Sequence, residues 1–371
     1  MTTAGLIHYG LGMGRALQQT AGIEAVSIFE QGAAQSRIAR DILSSLPHHT
    51  YPFRTLFDKL MVVMRIIRVV YDFKPDIVHF TDGVERPVYG FLLFPILKNL
   101  APIVVTVHDP VPHSGVRLSW AEERAKSLAY HCTRHFVVHG PFCQKLLLEQ
   151  AIRPECISIQ RHGAIDFLGE HTEDTRREPQ TILFFGRFQP NKGMDFLVPV
   201  ADQVHSLFPR ALFLVVGSMG TLLRGKARTL WERELRPMLA AMRKRSYFEV
   251  YEGFVPDERI GHYFQRATIT LLPYRDATQS GVATIAMSFQ TAIVATNVGD
   301  LAQLIRHNET GLLCRTDVES ISDAVCDLLG NPEKTRRLAQ LAKEHTGKHF
   351  TWAAVARETA EMYKHILSSQ V

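Results

Sequence analysis

Short apolar, β-branched runs alternate with helix-length amphipathic stretches over most of the chain. In the first half, Ala25–Phe29, Ile77–Phe80, Ile103–Val107 and His135–Val138 read as strands. In the second half, Thr181–Phe185, Ala211–Val216, Phe248–Tyr251, Ile269–Leu272 and Ala292–Ala295 do the same. Strands separated by helix-length segments predict βαβ units and parallel sheets. Two such series predict an α/β protein with two doubly wound, Rossmann-like domains. The stretch 169–180 is polar, lacks an apolar period and reads as a linker. The expected organisation is a first domain at 1–168, the linker at 169–180, a second domain at 181–350 and a terminal segment at 351–371. In that last segment Val355, Met362, Tyr363 and Ile366 have helical spacing and predict a closing helix.

Composition narrows the class. Of 371 residues, 46% are hydrophobic and 21% charged, which excludes a disordered, collagen-like or coiled-coil chain. Five cysteines without a CxxC pair exclude a disulfide scaffold and a zinc knuckle, and fit a reducing, cytoplasmic setting. No charged segment followed by an apolar core marks a signal peptide. The longest apolar stretches are broken by Arg65 and Arg68, and by Lys98, Asn99 and Pro102, so no membrane span is expected. The net charge of +5 permits an anionic partner without demanding one.

In doubly wound domains ligands bind at the carboxyl ends of strands, where loops and helix N-termini present amides, and two such domains facing each other share a cleft there. Gly186-Arg187-Phe188-Gln189-Pro190-Asn191-Lys192-Gly193 follows the strand at Ile182–Phe185. Two cations before a helix are wasteful unless an anion joins them, so this loop reads as a diphosphate clamp or, alternatively, as a solvated turn. Thr278-Gln279-Ser280-Gly281-Val282 opens a helix, with Asp276 at its mouth. Its small residues suit a phosphate, and equally a simple N-cap. His108-Asp109 ends a strand of the first half, with His113 five positions on. His108 is placed to bond a sugar hydroxyl through its ring or its backbone carbonyl, or to act as a general base. It is also one of 17 histidines. Arg161-His162-Gly163 raises the same question less strongly.

The glycines Gly10, Gly12 and Gly14 follow a short strand predicted at Leu6–His8. They lack the G-x-G-x-x-G spacing of a dinucleotide site. A flexible loop with Arg15 meeting an acceptor phosphate, or a plain strand–helix turn, is expected there. Arg54–Tyr71 has a wide apolar face with Arg54, Lys59, Arg65 and Arg68 among it. It reads either as a basic amphipathic helix on an anionic membrane or as a core helix with snorkelling arginines. Leu222–Arg245 carries eight basic residues against two acids. With little aromatic interleaving beyond Trp231, it suits a solvated helix or anionic lipid better than nucleic acid.

Taken in order, Lys74-Pro-Asp-Ile-Val-His79, Thr106-Val-His-Asp109, Gly186-Arg187 with Lys192-Gly193, Pro273-Tyr274 through Thr278-Gln-Ser-Gly-Val282, Val298-Gly299-Asp300 and Thr310-Gly311-Leu312 resemble the family 4 retaining glycosyltransferases of the GT-B fold. The resemblance covers nearly the whole chain. It implies two Rossmann-like domains facing a central cleft and a final helix crossing back to the first. It implies transfer of a hexose from a UDP- or GDP-linked sugar to a saccharide or lipid-linked acceptor, without cofactor or metal. By this resemblance Arg187 and Lys192 neutralise the donor diphosphate, joined by Gly186, Gly217, Ser280, Gly281 and Val282. Phe254 and Val255 border the base, His108 faces the donor sugar, and Gly12, Gly14, Arg15 and His113 serve the acceptor. Many relatives carry two Glu seven residues apart in the 276–285 loop. Here the second position is Ile285, which cannot bond a ribose hydroxyl, and Asp276 is the expected substitute for the first. The expected setting is cytoplasmic, with peripheral contact at an anionic membrane resting on the lipid-facing readings of Arg54–Tyr71 and Leu222–Arg245. A GT-B scaffold with a decayed site, an epimerase and a phosphorylase are the competing classes.

Overall fold

The computed structural model describes residues 6–32, 36–112, 118–171, 175–219, 229 and 231–369. Their contacts divide into two compact units. The described residues of Met1–Pro112, Val116–Gly163 and Phe350–Val371 form the first, and Ala164–His349 the second. The division thus falls at Gly163/Ala164, ahead of the expected linker. Thr175–Gln180 belongs to the second unit, where the Arg177 guanidinium donates to the carbonyls of Ala267 and Phe289. Residues 172–174 lie outside the described residues.

The first unit holds a parallel pair, β1 (Ser27–Glu30) with β2 (His48–Tyr51), and a four-stranded parallel sheet. That sheet runs β3 (Val78–Phe80), β4 (Ile103–Thr106), β5 (His135–Val138) and β6 (Ile157–Ile159), in that spatial order. Every residue of β4 and β5 is buried, which is why both read as unbroken apolar runs rather than alternating ones. The helix Leu56–Phe73 starts at a capping box: Thr55 accepts from the Asp58 N–H, and the Asp58 carboxylate accepts from the Thr55 N–H. The closing helix Trp352–Ser368 packs inside this unit, with Trp352, Val355 and Ala356 against Tyr9 and Met13.

The glycine-rich loop expected near the N-terminus is instead a helix, Ile7–Gln18. Its glycines are packing positions. A Cβ on Gly12 would stand 2.1 Å from the Trp352 indole, and one on Gly14 would stand 2.8 Å from Ser27 Oγ. Gly12 and Gly14 are buried against the closing helix and β1. Arg15 lies on the last turn of the same helix, where a cation suits the dipole.

The second unit has six parallel strands: β7 (Thr181–Arg187), β8 (Leu212–Ser218), β9 (Phe248–Glu252), β10 (Ile269–Leu272), β11 (Ala292–Thr296) and β12 (Leu312–Cys314). Their spatial order is β12-β11-β10-β7-β8-β9. The winding direction reverses between β7 and β10. In an open parallel sheet a ligand binds beyond the carboxyl ends of strands at such a reversal. The core beneath is continuous, from Phe184, Phe188 and Phe213 through Leu271 to Val294 and Leu338.

Candidate functional site

Both sequence motifs of the second half emerge at this reversal, Gly186–Gly193 from β7 and Pro273–Ser280 from β10. The two loops are knitted together. The Arg275 N–H donates to the Asn191 carbonyl at 2.8 Å. A Cβ on Gly193, where φ is +66°, would stand 1.8 Å from the Pro273 carbonyl oxygen. Gly193 is therefore required twice, by its left-handed backbone and by the neighbouring strand end. The Lys192 Nζ sits over the Tyr274 ring, 3.8 Å from its centroid, so the cation rests on a π-face and keeps its protons for another acceptor. Among the described residues neither Arg187 nor Lys192 has a carboxylate partner, and Arg187 is exposed.

The other residues anticipated for the second unit converge here. Gly186 and Gly217 are register partners on β7 and β8, and a Cβ on Gly217 would reach the Gly186 carbonyl at 1.8 Å. Val282 Cγ2 lies 3.7 Å from where a Gly186 Cβ would be, so the helix Gly281–Ser288 begins against the end of β7. Ser280 caps that helix, accepting from the Ala283 N–H at 3.2 Å. The free N–H groups of its first turn then form a partial positive end beside two cations. The Gly253 N–H donates to the Gly217 carbonyl at 2.9 Å, which brings Phe254 and Val255 to the same edge; Phe254 is exposed. Asp276 is half-buried in the loop itself. Ile285 is buried in the helix core, where it has no polar group to offer.

Three buried polar atoms of this edge lack a hydrogen-bond partner: Asn191 Nδ2, Tyr274 Oη and Gln279 Oε1. Buried polar groups are rarely left unpaired. Two donors and an acceptor beside Lys192 are what a phosphorylated polar ligand would satisfy. Tyr274 and Asn191 were not singled out in the sequence. The signal was their adjacency to Arg187, Lys192 and the strand end.

In the first unit His108 follows β4 and is buried. Its Nε2 faces the Thr81 carbonyl at 3.1 Å and its Nδ1 faces His139 Nε2 at 3.1 Å. His139 Nδ1 in turn faces the Gln160 carbonyl at 2.9 Å. Tyr9, His162 and Trp352 complete a ring cluster around them. Burial lowers the pKa of His108, and that of His139 further, the latter aided by its histidine neighbours. Both ring nitrogens of His108 thus face protein groups. The His108 carbonyl in turn faces the Cys143 thiol, with the Sγ 3.9 Å away. His139 stands directly after β5 as His108 stands just after β4, a spacing signal that could have found it. His113 lies outside the described residues, as do 222–228 of the basic segment. Among the described residues no cluster of three His, Cys, Asp or Glu could hold a metal ion.

Comparison with known proteins follows this geometry. Residues 179–331 match the family model of glycosyl transferases group 1. The alpha-maltose-1-phosphate synthase of Mycolicibacterium smegmatis is 26% identical over 193 residues, 50% of this chain and 48% of that protein. The D-inositol 3-phosphate glycosyltransferase of Nocardia farcinica is 30% identical over 186 residues, 49% of this chain and 40% of that one. The chain thus spans about half the length of the curated relatives it matches. Among solved structures, Anabaena HepE with UDP-glucose superposes with a TM-score of 0.73 at 14% identity, covering 98% of this chain and 97% of that one. A sucrose-phosphate synthase from Thermosynechococcus elongatus gives 0.71 at 16%, covering 96% and 92%. The fold is GT-B, as the resemblance implied.

Proposed function

We propose that this chain, a GT-B protein whose residues 179–331 belong to the group 1 glycosyl transferases, is a retaining hexosyltransferase that uses a UDP- or GDP-linked sugar. The observation that carries this reading is the position of Arg187 and Lys192 at the β7–β10 reversal, with no carboxylate partner among the described residues, beside a capped helix start. Breaking the bond between the sugar C1 and the diphosphate oxygen leaves negative charge on that oxygen. Arg187, Lys192 and the Gly281 and Val282 N–H groups are preorganised to receive it, the role a metal ion plays in other transferases. Gly186 and Gly217 let the backbone come close to the phosphates, and Phe254 and Val255 border the base. Asp276 stands in for the first Glu of the family pair, facing the sugar. The first unit binds the acceptor, a saccharide free or lipid-linked, whose hydroxyl oxygen forms the new bond to C1 as its proton passes to the departing diphosphate oxygen. No other cofactor enters, no nucleic acid is involved, and the setting is cytoplasmic.

The test is product analysis by NMR with UDP- and GDP-hexoses and a panel of saccharide acceptors. The expected product keeps the donor's anomeric configuration and forms at an unchanged rate in a chelator. An inverted product, or loss of turnover on chelation, overturns the reading. Buried Ile285 at the ribose position favours one competitor, a binding protein with a decayed site. Sugar release above background that Asp276→Ala abolishes rejects that competitor.

A further inference from the structure

The helix Leu56–Phe73 has two apolar faces. Val62, Val63, Ile66 and Val70 are buried in the core of the first unit. Leu56, Phe57, Leu60, Met64 and Tyr71 lie outside it, 43% to 72% exposed. At 3.6 residues per turn these five share an arc of about 100°. Exposed Arg68 and Arg65 border the arc on one side, and exposed Arg54 stands just before the helix, while half-buried Lys59 lies on the core side with its Nζ over the Phe53 ring. The capping box turns the Asp58 carboxylate onto backbone N–H groups, and Asp72 is paired with Arg68 at 2.6 Å. The segment Tyr89–Leu97 contacts this helix and adds exposed Phe91, Leu92 and Ile96, followed by exposed Lys98 and Leu100. Surface-exposed large apolar groups normally occur singly, and a concentration of them rimmed by cations has a partner.

We propose that this face docks on an anionic phospholipid bilayer. Phe57, Leu60 and Met64 enter the boundary between headgroups and acyl chains, while Arg54 and Arg65 meet the lipid phosphates. The two readings of the sequence, membrane helix and core helix, are then both correct, one for each face. No helix among the described residues is long and apolar enough to cross a membrane, so the contact is interfacial. The proposal does not rest on the transfer reaction, since it concerns residues remote in sequence from Arg187 and Lys192.

Co-sedimentation with vesicles tests it. The full chain is expected to bind phosphatidylglycerol-containing vesicles at least ~10-fold more tightly than phosphatidylcholine vesicles, and to release as salt is raised. Phe57→Ser with Met64→Ser should lose binding while keeping the wild-type melting temperature and nucleotide binding. Arg54→Gln with Arg65→Gln should lose only the preference for anionic lipid. Absence of vesicle binding, or binding unchanged in the Phe57→Ser, Met64→Ser variant, overturns the proposal. So does a dimer in sedimentation velocity that this variant dissociates, because a second copy then covers the face.

Discussion

An Arg187→Ala, Lys192→Ala variant is expected to fold as wild type and to lose roughly 10³-fold in kcat/KM for the nucleotide sugar. Removing one preorganised donor from a developing oxyanion costs on the order of 10²-fold or more, and here two cations aim at the same diphosphate. The fold survives because Arg187 is exposed and makes no ion pair. Lys192 gives up only its contact with the Tyr274 ring, a cation–π interaction of about 1 kcal/mol. A thermal melt and steady-state kinetics on the same preparation check both halves. Turnover close to wild type in the folded variant would refute the clamp.

The second large effect is on stability. His135 and His162 are buried in the first unit and His79 is half-buried there, and desolvation pushes the pKa values of His79, His135 and His162 down to about 3, 4 and 3. Desolvation is the leading cause in each, and repulsion from other cationic groups adds to it, His108 and His135 at His79, His365 and Arg134 at His135, and His108 at His162, while the Gly163 carbonyl, 2.8 Å from His162 Nδ1, works against the fall. In the unfolded chain these rings take up a proton near pH 6.5, whereas in the folded chain they stay neutral. Their stability contribution is therefore complete above about pH 6.5 and is lost as pH falls toward 3–4. Each ring loses about 1 kcal/mol between pH 6.5 and 5.5, and the loss steepens toward about 1.4 kcal/mol per pH unit below that, so the three together remove about 3 kcal/mol over that first pH unit. Urea unfolding of the first unit, read by the fluorescence of Trp352 beside His162, is expected to show this fall. His162→Asn should remove about a third of the slope. A midpoint independent of pH between 7.5 and 5.5 contradicts the assignment of neutral buried rings.

The strands that carry the site were legible because they are buried on both faces. β5 and β10 coincide with the expected ranges, and β4, β7, β8 and β11 differ only at their ends. The strands not anticipated are short or polar. β2 is His48–Tyr51, half exposed with two histidines, while β6 and β12 are three-residue edge strands with little apolar sequence. The N-terminal glycines misled because Gly weakens a helix in isolation. Here Trp352, more than three hundred residues away in sequence, supplies the packing that repays it, and no local pattern reports that contact. The second-unit loops were legible as chemistry because cations and glycines after a strand have few structural uses. The His108–His139 pair was half legible, since pairing across two strand ends depends on the register of β4 with β5. Tyr274 beneath Lys192 could be seen only once the β7 and β10 loops were brought side by side.

The central claim is that the β7–β10 reversal holds the diphosphate of a nucleotide. Calorimetric titration of the wild-type chain with UDP, GDP, UMP and GMP tests it most directly. The account predicts that one diphosphate binds at least ~10-fold more tightly than its own monophosphate, an advantage of about 1.4 kcal/mol. Lys192→Ala should erase that advantage. Equal affinity for the diphosphate and the monophosphate, or no binding of either by folded protein, would contradict it.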